Sequence, residues 1–186
     1  MQYRQLARDP LLWLGLILTA LLIFSLSWSD SYSPLSGDGY LTFHSLAEAA
    51  AIMVAALIFL AGWHAARHRL IAAPLAAISC AFLAVALLDV MHALSYQGMP
   101  DFFTENTPAK TIYFWLAARL VATLGLLAAI FLRFSSLVIR AHYLLGVALS
   151  VLLAVAVACL VLVWPHRLPT VYETTSGLTD FKTCLL

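Results

Sequence analysis

Two pairs of ionisable residues stand in stretches that are otherwise almost wholly apolar: His44 with Glu48, and Asp89 with His92. Spacings of four and three place each pair on one face of a helix. Arg119 is a third charged residue in such a stretch. An unpaired charge at the centre of a membrane helix costs on the order of 2.5–3.5 kcal/mol, so these groups must meet one another or a ligand. Two carboxylates and one guanidinium leave a single negative charge when both imidazoles are neutral. A buried site relieves that charge by taking up a proton or by binding a cation. His44, Glu48, Asp89 and His92 together are a donor set suited to a divalent ion such as zinc, iron or copper. Arg119 would then hydrogen-bond a ligating carboxylate or hold an anionic ligand. The competing reading is a polar clamp that only fixes helix packing, with Arg119 bridging Glu48 and Asp89. A haem between the two histidines would leave both carboxylates unexplained.

Neighbouring residues extend the cluster. Trp115 lies one turn before Arg119 on the same face and is placed to stack on its guanidinium. Tyr96, Gln97, Gly98, Met99 and Pro100 form a turn just past the Asp89–His92 pair, punctuated by Gly98 and Pro100. Gly98 and Met99 are candidates for a loop over the site; the alternative is a plain connection. Cys80, Cys159 and Cys184 make neither a C-x-x-C pair nor a zinc-finger spacing, and the first two behave as small hydrophobes.

The elements that must position these groups are membrane helices. The chain has 186 residues, of which 63% are hydrophobic and 10% charged, against roughly a quarter charged in ordinary soluble domains. No fold of this size could hide so much apolar side chain from water, so the solvent is lipid. Five windows are long enough to cross: Leu11–Trp28, Phe43–Trp63, Leu70–Leu94, Ile112–Leu132 and Tyr143–Trp164. The expected fold is therefore an all-α, polytopic bundle of about five spans. Trp28, Trp63, Trp164 and Tyr143 stand at window ends, as an interfacial aromatic belt would. Arg4, Arg8, Arg67, Arg69, Arg133 and Arg140 all fall on one set of connections, opposed there only by Asp9. The positive-inside rule puts that set, and the N-terminus, in the cytoplasm. Residues 1–10 are then a cytoplasmic segment, 11–164 the membrane domain and 165–186 an extracytoplasmic tail. In this topology His44 and His92 are level near the outer face. Glu48 lies about 6 Å deeper than His44, and Arg119 about 10 Å below the start of its span. The cytoplasmic connections are too short to be more than turns. A net charge of +1 with scattered Lys and Arg gives no basic patch and no reason to expect a nucleic-acid partner.

At these residues the chain resembles a family. The stretches Phe43-His44-Ser45-Leu46-Ala47-Glu48, Asp89-Val90-Met91-His92-Ala93-Leu94-Ser95-Tyr96-Gln97-Gly98-Met99-Pro100 and Trp115-Leu116-Ala117-Ala118-Arg119 resemble the third type of the MASE class of bacterial membrane-associated sensor domains. Gly177-Leu178-Thr179-Asp180-Phe181-Lys182 resembles a further family segment, and Gln97 stands where a Lys is usual. The resemblance implies a multi-pass input module of the bacterial inner membrane, placed ahead of histidine kinase or GGDEF diguanylate cyclase output domains. It implies a homodimer in the full-length protein and functional roles for His44, Glu48, Asp89, His92, Tyr96, Gly98, Met99, Trp115 and Arg119. The family pattern continues into another span beyond Leu186, so the chain is expected to lack the output domain and any enzymatic activity of its own.

The leading expectation is a sensor domain that binds a small ligand, a metal ion or a proton at an outer-leaflet polar cluster. A transporter or channel fragment is the alternative, since carboxylates and histidines also serve ion paths. The almost wholly apolar inner halves of spans two to four count against it. An intramembrane metalloenzyme would need a nucleophile and a substrate cleft that no motif supplies.

Overall fold

The computed structural model describes residues 16, 17, 19, 20, 38–67, 70–134, 137–169, 171–173, 177 and 178. The expected first span, Leu11–Trp28, lies outside them except for four helical positions. So do Arg4, Arg8, Asp9, His68, Arg69, Cys184 and the stretch Thr179–Lys182. Met1–Leu41 and Thr42–Leu186 are separate compact units, and the packed bundle with its polar residues belongs to the second.

Four long helices carry the described spans: α1 (Asp38–Ala66), α2 (Ala73–Leu94), α3 (Pro108–Phe131) and α4 (Arg140–Val163). The shortest has 22 residues, or about 33 Å at the helical rise, which clears a hydrocarbon core of about 30 Å. All four are long and apolar enough to cross a membrane, and the fold is an all-α polytopic bundle.

Helix boundaries differ from the hydropathy windows where local chemistry intervenes. Leu70–Ala72 does not begin a helix; it forms a short strand, β1, and α2 starts only at Ala73 with Pro74 in its first turn. β1 pairs antiparallel with β2 (Leu137–Ile139), Leu70 opposite Ile139 and Ala72 opposite Leu137. The connections expected to be simple turns are thus tied together as a ribbon, because backbone groups at the bundle's rim need partners that side chains do not supply. A second pairing, β3 (Tyr172–Glu173) with β4 (Gly177–Leu178), follows α4. α3 begins four residues before the expected Ile112. Thr107 caps it, accepting from the Lys110 amide at 3.2 Å, and Pro108 occupies the first turn, where a missing N–H costs little.

α2 is the centre of the bundle. Its apolar window is 39% buried, against 11–17% in the other three. Three consecutive residues explain how it takes three neighbours. Ser79 faces Gly62 of α1, Cys80 faces Gly146 of α4, and Ala81 faces Gly125 of α3. Successive helical residues point about 100° apart, so each glycine admits one surrounding helix to close range. The second half of α2 packs Leu88 against Phe114 and Ala118 of α3 and Ala154 and Val161 of α4. The leucines left exposed along α1, α3 and α4 face lipid. Tyr143 does not serve the interfacial belt expected of it. It is 1% exposed, with its hydroxyl 2.8 Å from Ser79 Oγ, because burial inside the bundle next to a hydroxyl satisfies it better than the headgroup region. Trp164 is 48% exposed just past the end of α4.

Candidate functional site

The polar groups gather at the end of the bundle that carries the connection between α2 and α3. They separate there into two sets rather than one. In the first, Arg119 of α3 reaches Asp89 of α2 with one guanidinium nitrogen, 2.7 Å from Oδ1 and 2.5 Å from Oδ2. Asp89 is 1% exposed, walled by Leu88 and its neighbours, so this carboxylate depends on that nitrogen. The other flank of Arg119 stays half-exposed in a groove of about 690 Å3 between α3 and α4, lined also by Trp115, Tyr113 and Leu160.

The second set joins α1 to α2. His92 Nε2 lies 3.6 Å from Glu48 Oε1, and the His44 ring stands edge-on to that of His92, centroids 5.8 Å apart. Ligand atoms of His44, Glu48 and His92 all fall within 4.8 Å of one another. Of these three, His44 and Glu48 border a recess of about 130 Å3 that Met99 also lines. Tyr96 lies over His44 at 4.3 Å between ring centroids. The anticipated set of two histidines and two carboxylates is therefore reduced: Asp89 is committed to Arg119, and Arg119 does not bridge to Glu48. Trp115 shares a groove with Arg119, away from the imidazoles.

The tautomer of His92 follows from its other neighbour. Nδ1 lies 2.9 Å from the Thr111 carbonyl oxygen, which can only accept, so Nδ1 carries the hydrogen. In the neutral ring Nε2 then presents a lone pair toward Glu48. Thr111 also donates its hydroxyl to the Ser95 carbonyl at 2.6 Å, which fixes the start of α3 against the end of α2.

The loop above this site is held firmly. Gly98 has φ 103°, a conformation that side-chain-bearing residues avoid, and the turn it makes brings Met99 back over the recess. Asn106 Nδ2 donates toward the carbonyls of Leu94, Met99 and Pro100 at 3.1–3.3 Å. Lys110 Nζ donates to Phe102 O, Thr104 O and Asn106 Oδ1 at 2.8–3.0 Å, its three protons matched by three oxygens. Lys110 is 5% exposed and organises the loop. Thr111, Asn106 and Lys110 were not singled out by sequence reasoning. The signal that could have found two of them is Thr107-Pro108, a cap followed by a first-turn proline, which moves the helix start and puts Lys110 and Thr111 inside it.

A family model for a membrane-associated sensor domain, MASE3, matches residues 35–185 of the chain. No curated protein and no solved structure matches it.

Proposed function

Given that the chain belongs to the MASE3 family of membrane-associated sensor domains, and is a multi-pass membrane protein, we propose that the cluster of His44, Glu48 and His92, buttressed by Asp89–Arg119, is its signal-input site. Arg67, Arg133 and Arg140 lie at the opposite end, around the β1–β2 ribbon. By the positive-inside rule that end is cytoplasmic, and the cluster opens outward under the 95–107 loop. A small ligand or cation entering the recess contacts α1 and α2 together, and can bias their packing only by its differential affinity for two arrangements. The arrangement favoured by the ligand is read at the cytoplasmic ends by a histidine kinase or diguanylate cyclase output in a homodimer, the sensor domain itself having no catalytic role.

The observation that carries this reading is the pairing across the α1–α2 seam. His44, Glu48 and His92, polar groups costly to leave unpaired in lipid, meet there beside a recess bordered by His44 and Glu48, under a loop pinned by Asn106 and Lys110. A clamp alone would be complete with Asp89 and Arg119, and would need no recess. The apolar residues Val85, Ala86 and Ala55 pack together below the cluster, which favours a sensor over a conducting path.

The test places the chain ahead of its output domain and measures output with and without stimulus. Glu48→Ala and His92→Ala are each expected to abolish the response while the protein still accumulates in the membrane. Normal signalling from both variants overturns the assignment.

A further inference from the structure

We propose that His44, Glu48 and His92 hold a divalent transition-metal ion of the zinc class, with its remaining coordination positions open to the recess. For its role in signalling this rests on the input-site reading; the binding itself does not.

His92 is already oriented for a ligand. Because Nδ1–H is directed to the Thr111 carbonyl, Nε2 is the ring atom available to one. A histidine fixed in this way by a backbone carbonyl is the usual support of a metal-bound imidazole. With the His92 ring neutral and Nδ1 carrying its hydrogen, Nε2 and Glu48 Oε1 both present lone pairs, and they stand 3.6 Å apart. That separation is longer than a charge-assisted hydrogen bond of about 2.7–2.9 Å. It is close to the roughly 3.3 Å between two ligand atoms that share a tetrahedral ion at bonds of about 2.0–2.1 Å. A cation between them would take one lone pair from each.

Three further features agree. His44 and Glu48 are four apart on α1, so one helical face delivers two ligands and α2 delivers the third. Arg119 is committed to Asp89, and among the described residues no lysine or arginine lies within ion-pair distance of Glu48. The recess of about 130 Å3 has room for about four waters at roughly 30 Å3 each, enough to complete a coordination shell or admit an exogenous ligand. Two imidazoles with one carboxylate select borderline ions over Mg2+ and Ca2+, which take oxygen ligands.

The experiment uses the whole chain in lipid nanodiscs, stripped with a chelator and titrated with Zn2+ against a chromophoric competitor, with Mg2+ and Ca2+ as comparison ions. One Zn2+ per chain is expected, displaced by neither comparison ion. His44→Ala, His92→Ala and Glu48→Gln should each weaken it at least tenfold, while His64→Ala and His142→Ala leave it within twofold. Substoichiometric uptake, or binding indifferent to the first three substitutions, overturns the site. Should those variants fail to fold, X-ray absorption of the zinc-loaded wild type decides. Scattering from two imidazoles supports the site and an all-oxygen shell overturns it. The signalling assay keeps the two proposals apart. Loss of zinc binding with Glu48 and His92 still required for output overturns the metal and leaves the input site. Zinc binding without effect on output keeps the metal and overturns its sensory role.

Discussion

The Asp89 carboxylate is 1% exposed and is paired with the half-exposed Arg119 guanidinium. Breaking such a pair from one side is far more costly than removing it whole. Arg119→Met should destabilise the protein by about 3–5 kcal/mol, since it strands a buried charge, whereas the double change Asp89→Leu with Arg119→Met should recover most of that loss. Detergent-driven unfolding in mixed micelles, followed by tryptophan fluorescence, checks both. Equal stability of the single and double variants would mean that the pair buttresses nothing. At this scale the sequence was informative about which groups had to find partners, because an ionisable side chain in an apolar window is costly wherever the chain folds. It did not say who pairs with whom. Arg119 lies within reach of either carboxylate by depth alone, and only the rotation of α3 about its axis sends it to Asp89.

Among the elements, α2 is set apart by what its neighbours lack. A Cβ on Gly62 would fall within the Ser79 side chain, close to both Cβ and Oγ, and one on Gly125 would fall on Ala81 Cβ. One on Gly146 would meet the Cys80 side chain less closely, its sulfur at 2.9 Å and its Cβ at 3.8 Å. Gly62→Ala and Gly125→Ala should therefore each cost about 1–3 kcal/mol by forcing helices apart, with Gly146→Ala nearer neutral. Thermal unfolding of the three purified variants, compared side by side, tests the ranking. If Gly146→Ala proves the worst, the close approach has been placed on the wrong helix pair. The windows themselves were readable from hydropathy because lipid demands a long apolar run. Their ends were not, since those depend on Thr107 capping, on Pro74 and on the β1–β2 pairing, all of them local hydrogen-bond choices invisible to a hydropathy average.

For the molecule as a whole, the proposed membrane orientation rests on where Arg67, Arg133 and Arg140 lie relative to the ribbon. In cells expressing a chain without its native cysteines, Thr104→Cys should react with a membrane-impermeant maleimide added outside, and His142→Cys should react only after the membrane is opened. The reverse pattern would invert the bundle and place the recess over the cytoplasm.

By itself the sequence determined that the chain lives in lipid, that several helices cross it, that it carries the MASE3 pattern, and that five ionisable groups need accounting for. Each of these rests on composition, run length or spacing along a single helix, which folding does not alter. Tertiary structure decided how the groups divide. Asp89 goes to Arg119, and His92 meets His44 and Glu48 beside a recess roofed by Met99. It also decided that Lys110 and Asn106 hold that roof in place. These outcomes depend on how helices rotate and how closely they approach across glycines, and such relations between distant residues leave no periodic trace in the chain.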